Sequence, residues 1–188
     1  AKRRAYDLTT QAMSGLMSVT GQPGSPPTKA GTPMGDTISA GFAFSGILGA
    51  LFHRERTGEG QHIDISMTDV LFSLIFDEAL DIYEELGMPF QQGNRIMRFS
   101  PFNAYQTKDG WLVIGIGHDA MWRSLCNLIE RKDLSNHADW GRMDWRVENN
   151  EQVDAVVAEW TKTITTAAAV KKLEADGIVA SPVQDIND

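Results

Sequence analysis

The stretch Arg54-Glu-Arg-Thr-Gly-Glu-Gly-Gln-His-Ile-Asp-Ile-Ser-Met-Thr-Asp69 decides how this chain is read. Arg54 and Arg56 suit the last turn of a helix, where cations meet the negative end of its dipole. Gly58 and Gly60 stop that helix and turn the chain. Residues 62–67 then alternate polar and apolar, the mark of a half-buried strand. Asp69 opens the apolar run of residues 70–76. The segment predicts a helix end, a glycine turn, a short strand and a second helix. At the strand-to-helix junction sits a carboxylate placed to act as a nucleophile. A plainer role competes for the same residue. Ser66 and Asp69 have the spacing of a capping box ahead of an apolar run, and an aspartate in a first turn suits the helix dipole. Spacing alone leaves both roles open.

Working outward, residues 9–20 read as a helix that the Gly/Pro-rich residues 21–27 cannot continue. Residues 37–56 read as a long buried helix. Its Ala40, Gly41, Ala43, Ser45, Gly46, Gly49 and Ala50 offer close approach to a neighbouring backbone. Each helical glycine costs roughly 1 kcal/mol relative to alanine, which implies a packing gain. Its apolar stretch, residues 38–52, is shorter than a bilayer crossing. After Asp69 the helix is expected to run to about residue 86, with Gly87 and Pro89 as stop signals. Asp77, Glu78, Asp81, Glu84 and Glu85 mark its solvated face.

Residues 91–100 are polar and read as the crossing into a second region. There a hairpin is expected, residues 102–107 and 111–116 about the turn Lys108-Asp109-Gly110. Helices are expected over 121–131, 151–161 and 167–175, with Gly177 as a C-terminal cap. Trp140, Trp145 and Trp160 are expected to pack between them. The fold class is therefore α/β, divided into residues 1–90 and 91–188.

Composition narrows the function. A net charge of −8 over 188 residues argues against a general nucleic-acid binder. The single cysteine, Cys126, permits no intrachain disulfide and lies on an apolar helical face, where it reads as inert core. His53, His62, His118 and His137 form no ligand set of zinc spacing, so no metal is expected. No Gly-x-Ser-x-Gly elbow or phosphate-binding glycine loop occurs. With no secretory signal visible, the expectation is a cytoplasmic protein without membrane attachment.

The run at residues 54–69 resembles the signature of the class III CoA-transferase family (CaiB/BaiF), which includes formyl-CoA transferase, carnitine CoA-transferase and alpha-methylacyl-CoA racemase. The resemblance extends along nearly the whole chain. It includes Ala5-Tyr-Asp-Leu-Thr-Thr-Gln-Ala-Met-Ser-Gly15, the Gly31-Thr-Pro-Met-Gly-Asp36 segment, Gly93-Asn94-Arg95, Pro101-Phe-Asn-Ala-Tyr105 through Trp111, Arg146-Val-Glu-Asn149 and residues 177–183. It implies part of a Rossmann-like large domain over residues 1–90, carrying the catalytic helix. A small α+β domain with a hairpin and several helices follows over 91–188. Family members are longer at both ends, so the resemblance implies a central fragment.

What the resemblance implies chemically is CoA transfer between an acyl-CoA thioester and a free carboxylic acid through aspartyl-anhydride and aspartyl-CoA intermediates, with Asp69 as the nucleophile. A carboxylate is ionised at neutral pH and needs no separate base. Arg4, within the Lys2-Arg3-Arg4 cluster, is the implied contact to CoA; a solvated terminus is its plain reading. Gly93 and the residues after it are the nearest candidates for oxyanion donors, while Arg95 and Arg98 could meet an acidic acceptor. A homodimer is implied as well. The rival within the family is the racemase, whose His/Asp pair exchanges a proton beside the thioester. Here Tyr6 stands at the histidine position, and Asp36 matches the aspartate or simply caps the long helix. Outside catalysis, the alternative is a fragment or interaction module without a complete CoA site.

Overall fold

The computed structural model describes residues 4–77 and 80–187. Lys2, Arg3 and Glu78, and the side chain of Asp77, lie outside the described residues. The chain forms two compact units that divide between Gly93 and Asn94.

The first unit holds α1 (Asp7–Met13), α2 (Leu16–Val19), α3 (Met34–Thr57), α4 (Met67–Ser73), a 3₁₀ turn (Leu74–Asp77) and α5 (Leu80–Glu85). The helix expected over 9–20 breaks at Gly15, whose φ of +88° caps α2 in the left-handed region that glycine tolerates. The helix expected over 69–86 is also interrupted. The Ser73 hydroxyl donates to the Val70 carbonyl (2.7 Å), and the Leu74 N–H turns to Leu71, tightening the ladder. Asp81, Glu84 and Glu85 are exposed, as their pattern requires.

The end of α3 follows the reading of its sequence: Arg54 and Arg56 occupy the last turn. Gly58, at φ +77°, closes it by donating its N–H to the Arg54 carbonyl. The burial of α3 does not follow. Only Gly35 and Ser39 are buried, whereas Phe44 is 64% and Phe52 60% exposed. An apolar helix is covered only by what packs on it, and the described neighbours reach little beyond its first turns. A Cβ at Gly46 would lie 3.1 Å from Ile63, so this glycine does admit a close neighbour; Gly41 and Gly49 face open space. Within the 24 residues of α3 an 18-residue window reaches a mean hydropathy of 1.3, a length and composition that a membrane-crossing helix and the core helix of a soluble protein share.

Residues 62–67 do not form the expected strand. The segment is extended and keeps its sidedness, with Ile63 and Ile65 half-buried and His62, Asp64 and Ser66 exposed. No strand lies beside it among the described residues, and without a ladder partner an extended segment is not a strand.

The second unit is a three-stranded antiparallel sheet, β1 (Phe102–Gln106), β2 (Trp111–Gly115) and β3 (Val179–Pro182), in the order β1-β2-β3. The hairpin forms where expected, with Gln106 opposite Trp111 and Phe102 opposite Gly115. The third strand follows Gly177, whose φ of +70° turns the chain out of the preceding helix. Five helices complete the unit, α6 (Asp119–Leu128), α7 (Lys132–Ser135), α8 (Met143–Glu148), α9 (Asn150–Thr161) and α10 (Thr166–Ala175), with α9 and α10 packed on the strands. Leu112 and Ile114 point inward from β2 onto Trp122, Leu125, Val153, Val157 and Leu173, all essentially without solvent exposure. Trp140 stacks on Trp122 at 6.2 Å and meets Trp145 at 5.1 Å, while Trp160 packs on the same core.

Candidate active site

Three helix N-termini of the first unit meet around Gly35. The α1 residue Asp7 accepts the Gly35 N–H through Oδ1 at 2.7 Å. A Cβ at Gly35 would lie 3.1 Å from Asp7 Oδ1, 3.4 Å from Leu71 and 3.5 Å from Met67. Glycine at this position therefore lets α1, α3 and α4 approach one another. Met67 opens α4, and Asp69 stands two residues on, in the first turn.

The capping question resolves at this turn. Ser66 is the N-cap, and its Oγ accepts the Asp69 N–H at 3.3 Å. The cap is one-sided. The Asp69 side chain is exposed, and its carboxylate has no hydrogen-bond or ion-pair partner among the described residues. The capping reading therefore holds for the Asp69 backbone and leaves the carboxylate without that duty. That carboxylate stands in solvent at the positive end of α4.

The other expected residues fall as follows. Arg4 is exposed ahead of α1. Asp36 is not the cap of α3: Pro33 holds that place, and Asp36 lies in the first turn, exposed. The reason is that the helix begins three residues earlier than its pattern suggests, proline being accepted at a helix start. Tyr6 is 83% exposed and caps α1 through its backbone, its carbonyl accepting from Thr9 and Thr10. Gly93 has φ +64° and donates its N–H to the Gly21 carbonyl at 2.9 Å, with Gln22 packed where a Cβ would stand. Its glycine is accounted for by this turn.

Arg95 is not free for an acceptor. Its Nε and guanidinium NH2 both reach Asp154 at 2.8 Å, within the second unit. The same carboxylate accepts from Asn103 (2.8 Å) and from the Tyr105 hydroxyl. Burial, and then the neighbouring carboxylate, pushes the Tyr105 phenol well above its ordinary range. Arg98 is exposed. Cys126 is fully buried and its thiol is pushed up to about 12 by burial, an inert core group. Among the described residues no group of three or more His, Cys, Asp or Glu could hold a metal.

Two polar centres are hard to see in the sequence. One is the Asp154 node, in which Asp154 lies far along the chain from its partners Arg95, Asn103 and Tyr105. The other joins Asp7 to Gln11, whose Nε2 donates to Asp7 Oδ2 at 2.7 Å. Their i, i+4 spacing was the available signal for that pair.

Comparison with known proteins supplies the family. The family described as CoA-transferase family III matches residues 1–188. Succinyl-CoA:mesaconate CoA-transferase of Haloarcula hispanica is 38% identical over 184 residues, covering 98% of this chain and 46% of that protein. Acetyl-CoA:oxalate CoA-transferase of Acetobacter aceti is 34% identical over 184 residues, covering 97% and 47%. The crystal structure of a CAIB/BAIF family protein from Brucella suis superposes with a TM-score of 0.83 at 28% identity, covering 99% of this chain and 49% of that one. The chain thus spans about half the length of the curated relatives it matches. With the family match running from end to end and the α/β architecture shared, the chain belongs to CoA-transferase family III.

Proposed function

We propose that the protein carrying this chain moves CoA between an acyl-CoA thioester and a free carboxylic acid, with Asp69 as the covalent carrier. The observation that carries this is the unpartnered carboxylate. Ser66 serves the helix cap, so the Asp69 oxygens are left for chemistry. Relatives named for transfer from succinyl-CoA and acetyl-CoA to dicarboxylates support the substrate class.

In this reading an Asp69 oxygen attacks the donor's thioester carbon. The tetrahedral adduct collapses by breaking the C–S bond, leaving a mixed anhydride on Asp69 and CoA thiolate. The thiolate attacks the Asp69 carbonyl of that anhydride, so the donor acid leaves and CoA remains on the aspartate as a thioester. An acceptor carboxylate displaces the thiolate to form a second mixed anhydride. The thiolate then attacks the acceptor's carbonyl, which restores Asp69. No net proton is needed, which fits a site whose nucleophile has no neighbouring base among the described residues. Arg4, exposed and cationic, is assigned to the CoA phosphates. Proton exchange of the racemase kind finds less support, because Tyr6 supplies no imidazole and Asp36 is left without the histidine half of the pair.

The assignment extends to a cytoplasmic homodimer without membrane or nucleic-acid partners. The exposed apolar side chains of α3 support burial against further protein. The test is direct. Protein incubated with succinyl-CoA is quenched with hydroxylamine and digested. Asp69 is expected to be recovered as its hydroxamate, and Asp69→Ala to lower transfer by about 10³-fold or more, the scale of losing a covalent nucleophile. Undiminished transfer by Asp69→Ala refutes the assignment.

A further inference from the structure

Asp7 has no place in the transfer chemistry, yet its carboxylate is fully engaged. Oδ1 accepts the Gly35 N–H at 2.7 Å, and Oδ2 accepts from Gln11 Nε2 at 2.7 Å. Gln11 is fully buried and completes the knot: Nε2 also donates to the Thr32 carbonyl (3.3 Å), and Oε1 accepts the Ala30 N–H (2.9 Å). Two side chains of α1 therefore hold three backbone groups of residues 30–35, the stretch that leads into α3. Pro33, the N-cap of α3, has no side-chain acceptor, so the Asp7 carboxylate supplies from another helix what the local cap lacks. The same carboxylate presses on the bare face of Gly35. On that face rest Met67 and Leu71 of α4, the helix whose first turn carries Asp69.

We propose that Asp7, through Gln11 and Gly35, is a positioning residue for the Asp69 carboxylate: it fixes the start of α3, on which the start of α4 is seated. The inference rests on the role given to Asp69 above. The knot has a specific weakness. It needs an acceptor-only group at position 7, because Asp7 faces two donors, Gly35 N–H and Gln11 Nε2. Asp7→Asn keeps the size but turns an N–H₂ toward one of them. Adding Gln11→Glu repairs the pair. The amide introduced at position 7 then donates to the carboxylate introduced at position 11, which still accepts the Ala30 N–H. The bond to Thr32, the longest of the set at 3.3 Å, is given up, and a carboxylate oxygen then faces that carbonyl at a fully buried position, so the repair is partial.

The experiment compares wild type, Asp7→Asn and the double variant Asp7→Asn/Gln11→Glu by hydrogen–deuterium exchange and by succinyl-CoA-dependent transfer. In Asp7→Asn, exchange at residues 67–71 is expected to rise about ten-fold, the scale of one lost charge-assisted hydrogen bond. Exchange in β2 should stay unchanged. The turnover number should fall about as far while KM for the thioester is retained, and the double variant should recover part of both losses. Faster exchange confined to residues 7–11 and 30–35 overturns the proposal, as does a double variant no better than the single one. If α4 responds as stated but Asp69→Ala leaves transfer intact, the coupling between Asp7 and α4 stands and the catalytic reading of Asp69 falls.

Discussion

Arg146 offers the sharpest test of what holds the second unit together. Its side chain is fully buried, and its guanidinium donates three hydrogen bonds to oxygen, Nε to the Ser100 carbonyl (2.9 Å), NH1 to the Trp140 carbonyl (2.8 Å) and NH2 to Asp119 (2.9 Å), with a longer one from NH2 to Met143 Sδ (3.6 Å). The guanidinium also lies 5.0 Å from the ring centre of Trp122. Arg146→Met fills much of the same volume without the donors. Two carbonyls lose their charged partner, at about 1–3 kcal/mol each, and a buried cation–π contact worth about 1–2 kcal/mol is lost. The Asp119 pair adds little, because that carboxylate is half-exposed and can turn to water. Against these losses stands relief from holding a cation out of water, a burial cost visible in the lowered affinity of Arg146 for its proton. The balance is a net destabilisation of about 2–4 kcal/mol. Urea unfolding followed by tryptophan fluorescence measures it cleanly. All five tryptophans lie in the second unit, so the signal reports that unit alone. With a slope near 1–1.5 kcal/mol per molar urea, the midpoint should fall by about 2 M. A midpoint equal to wild type would show that the desolvation relief cancels the lost bonds and that Arg146 is no keystone.

The Asp109 carboxylate, in the hairpin turn, accepts the Thr166 N–H (2.7 Å) and hydroxyl (2.9 Å), which holds it below the usual carboxylate range. Its stabilising contribution is present above the unfolded-state value and is lost as pH falls through the lower folded-state value. Asp109→Asn should therefore flatten the acid limb of the urea-midpoint profile; an unchanged acid limb contradicts the capping role. Tyr105 behaves oppositely. Its raised phenol favours the fold at pH below about 10, and that contribution is lost as pH climbs toward the folded-state value. Absorbance titration should show Tyr105 ionising only with alkaline unfolding, and Tyr105→Phe should blunt that transition. Cys126, with its thiol pushed up to about 12, should ignore a thiol-disulfide reagent at neutral pH and react only as urea opens the second unit. Rapid labelling in native buffer would contradict this.

Local chemistry in the chain announced the second unit better than the first. Asp109-Gly110 between two apolar runs determines a hairpin by itself. The helical stripe containing Leu125 and Cys126 needs only the inner face of β2 to be buried. The first unit depends on neighbours that periodicity does not name. Residues 62–67 alternate as a strand does, and the alternation survives in the half-burial of Ile63 and Ile65, but a ladder needs a second strand. The apolar composition of α3 called for burial, yet composition states a demand and not which surface meets it. The interruptions at Gly15 and Ser73 come from one left-handed residue and one back-bonding hydroxyl. Both are single-residue effects that a window of helical spacing averages away.

The candidate site shows the same division within one residue type. Asp7, Asp69 and Asp109 stand at helix starts or in a turn and Asp154 within α9, and no spacing rule ranks them. Their hydrogen-bond environments do. Asp7 is taken by Gln11 and Gly35, Asp109 by Thr166, and Asp154 by Arg95, Asn103 and Tyr105. A carboxylate so engaged must break those bonds before it can attack a thioester, and each charge-assisted bond lost costs about 1.5–3 kcal/mol. Asp69 alone of the four has its capping duty discharged by another residue, Ser66, and keeps both oxygens clear of described protein partners. The hydroxyl three residues before the aspartate, which in the sequence argues for a mere cap, is thus what leaves the carboxylate available. Ser66→Ala should therefore draw Asp69 into capping its own helix and lower transfer while Asp69 itself remains in place.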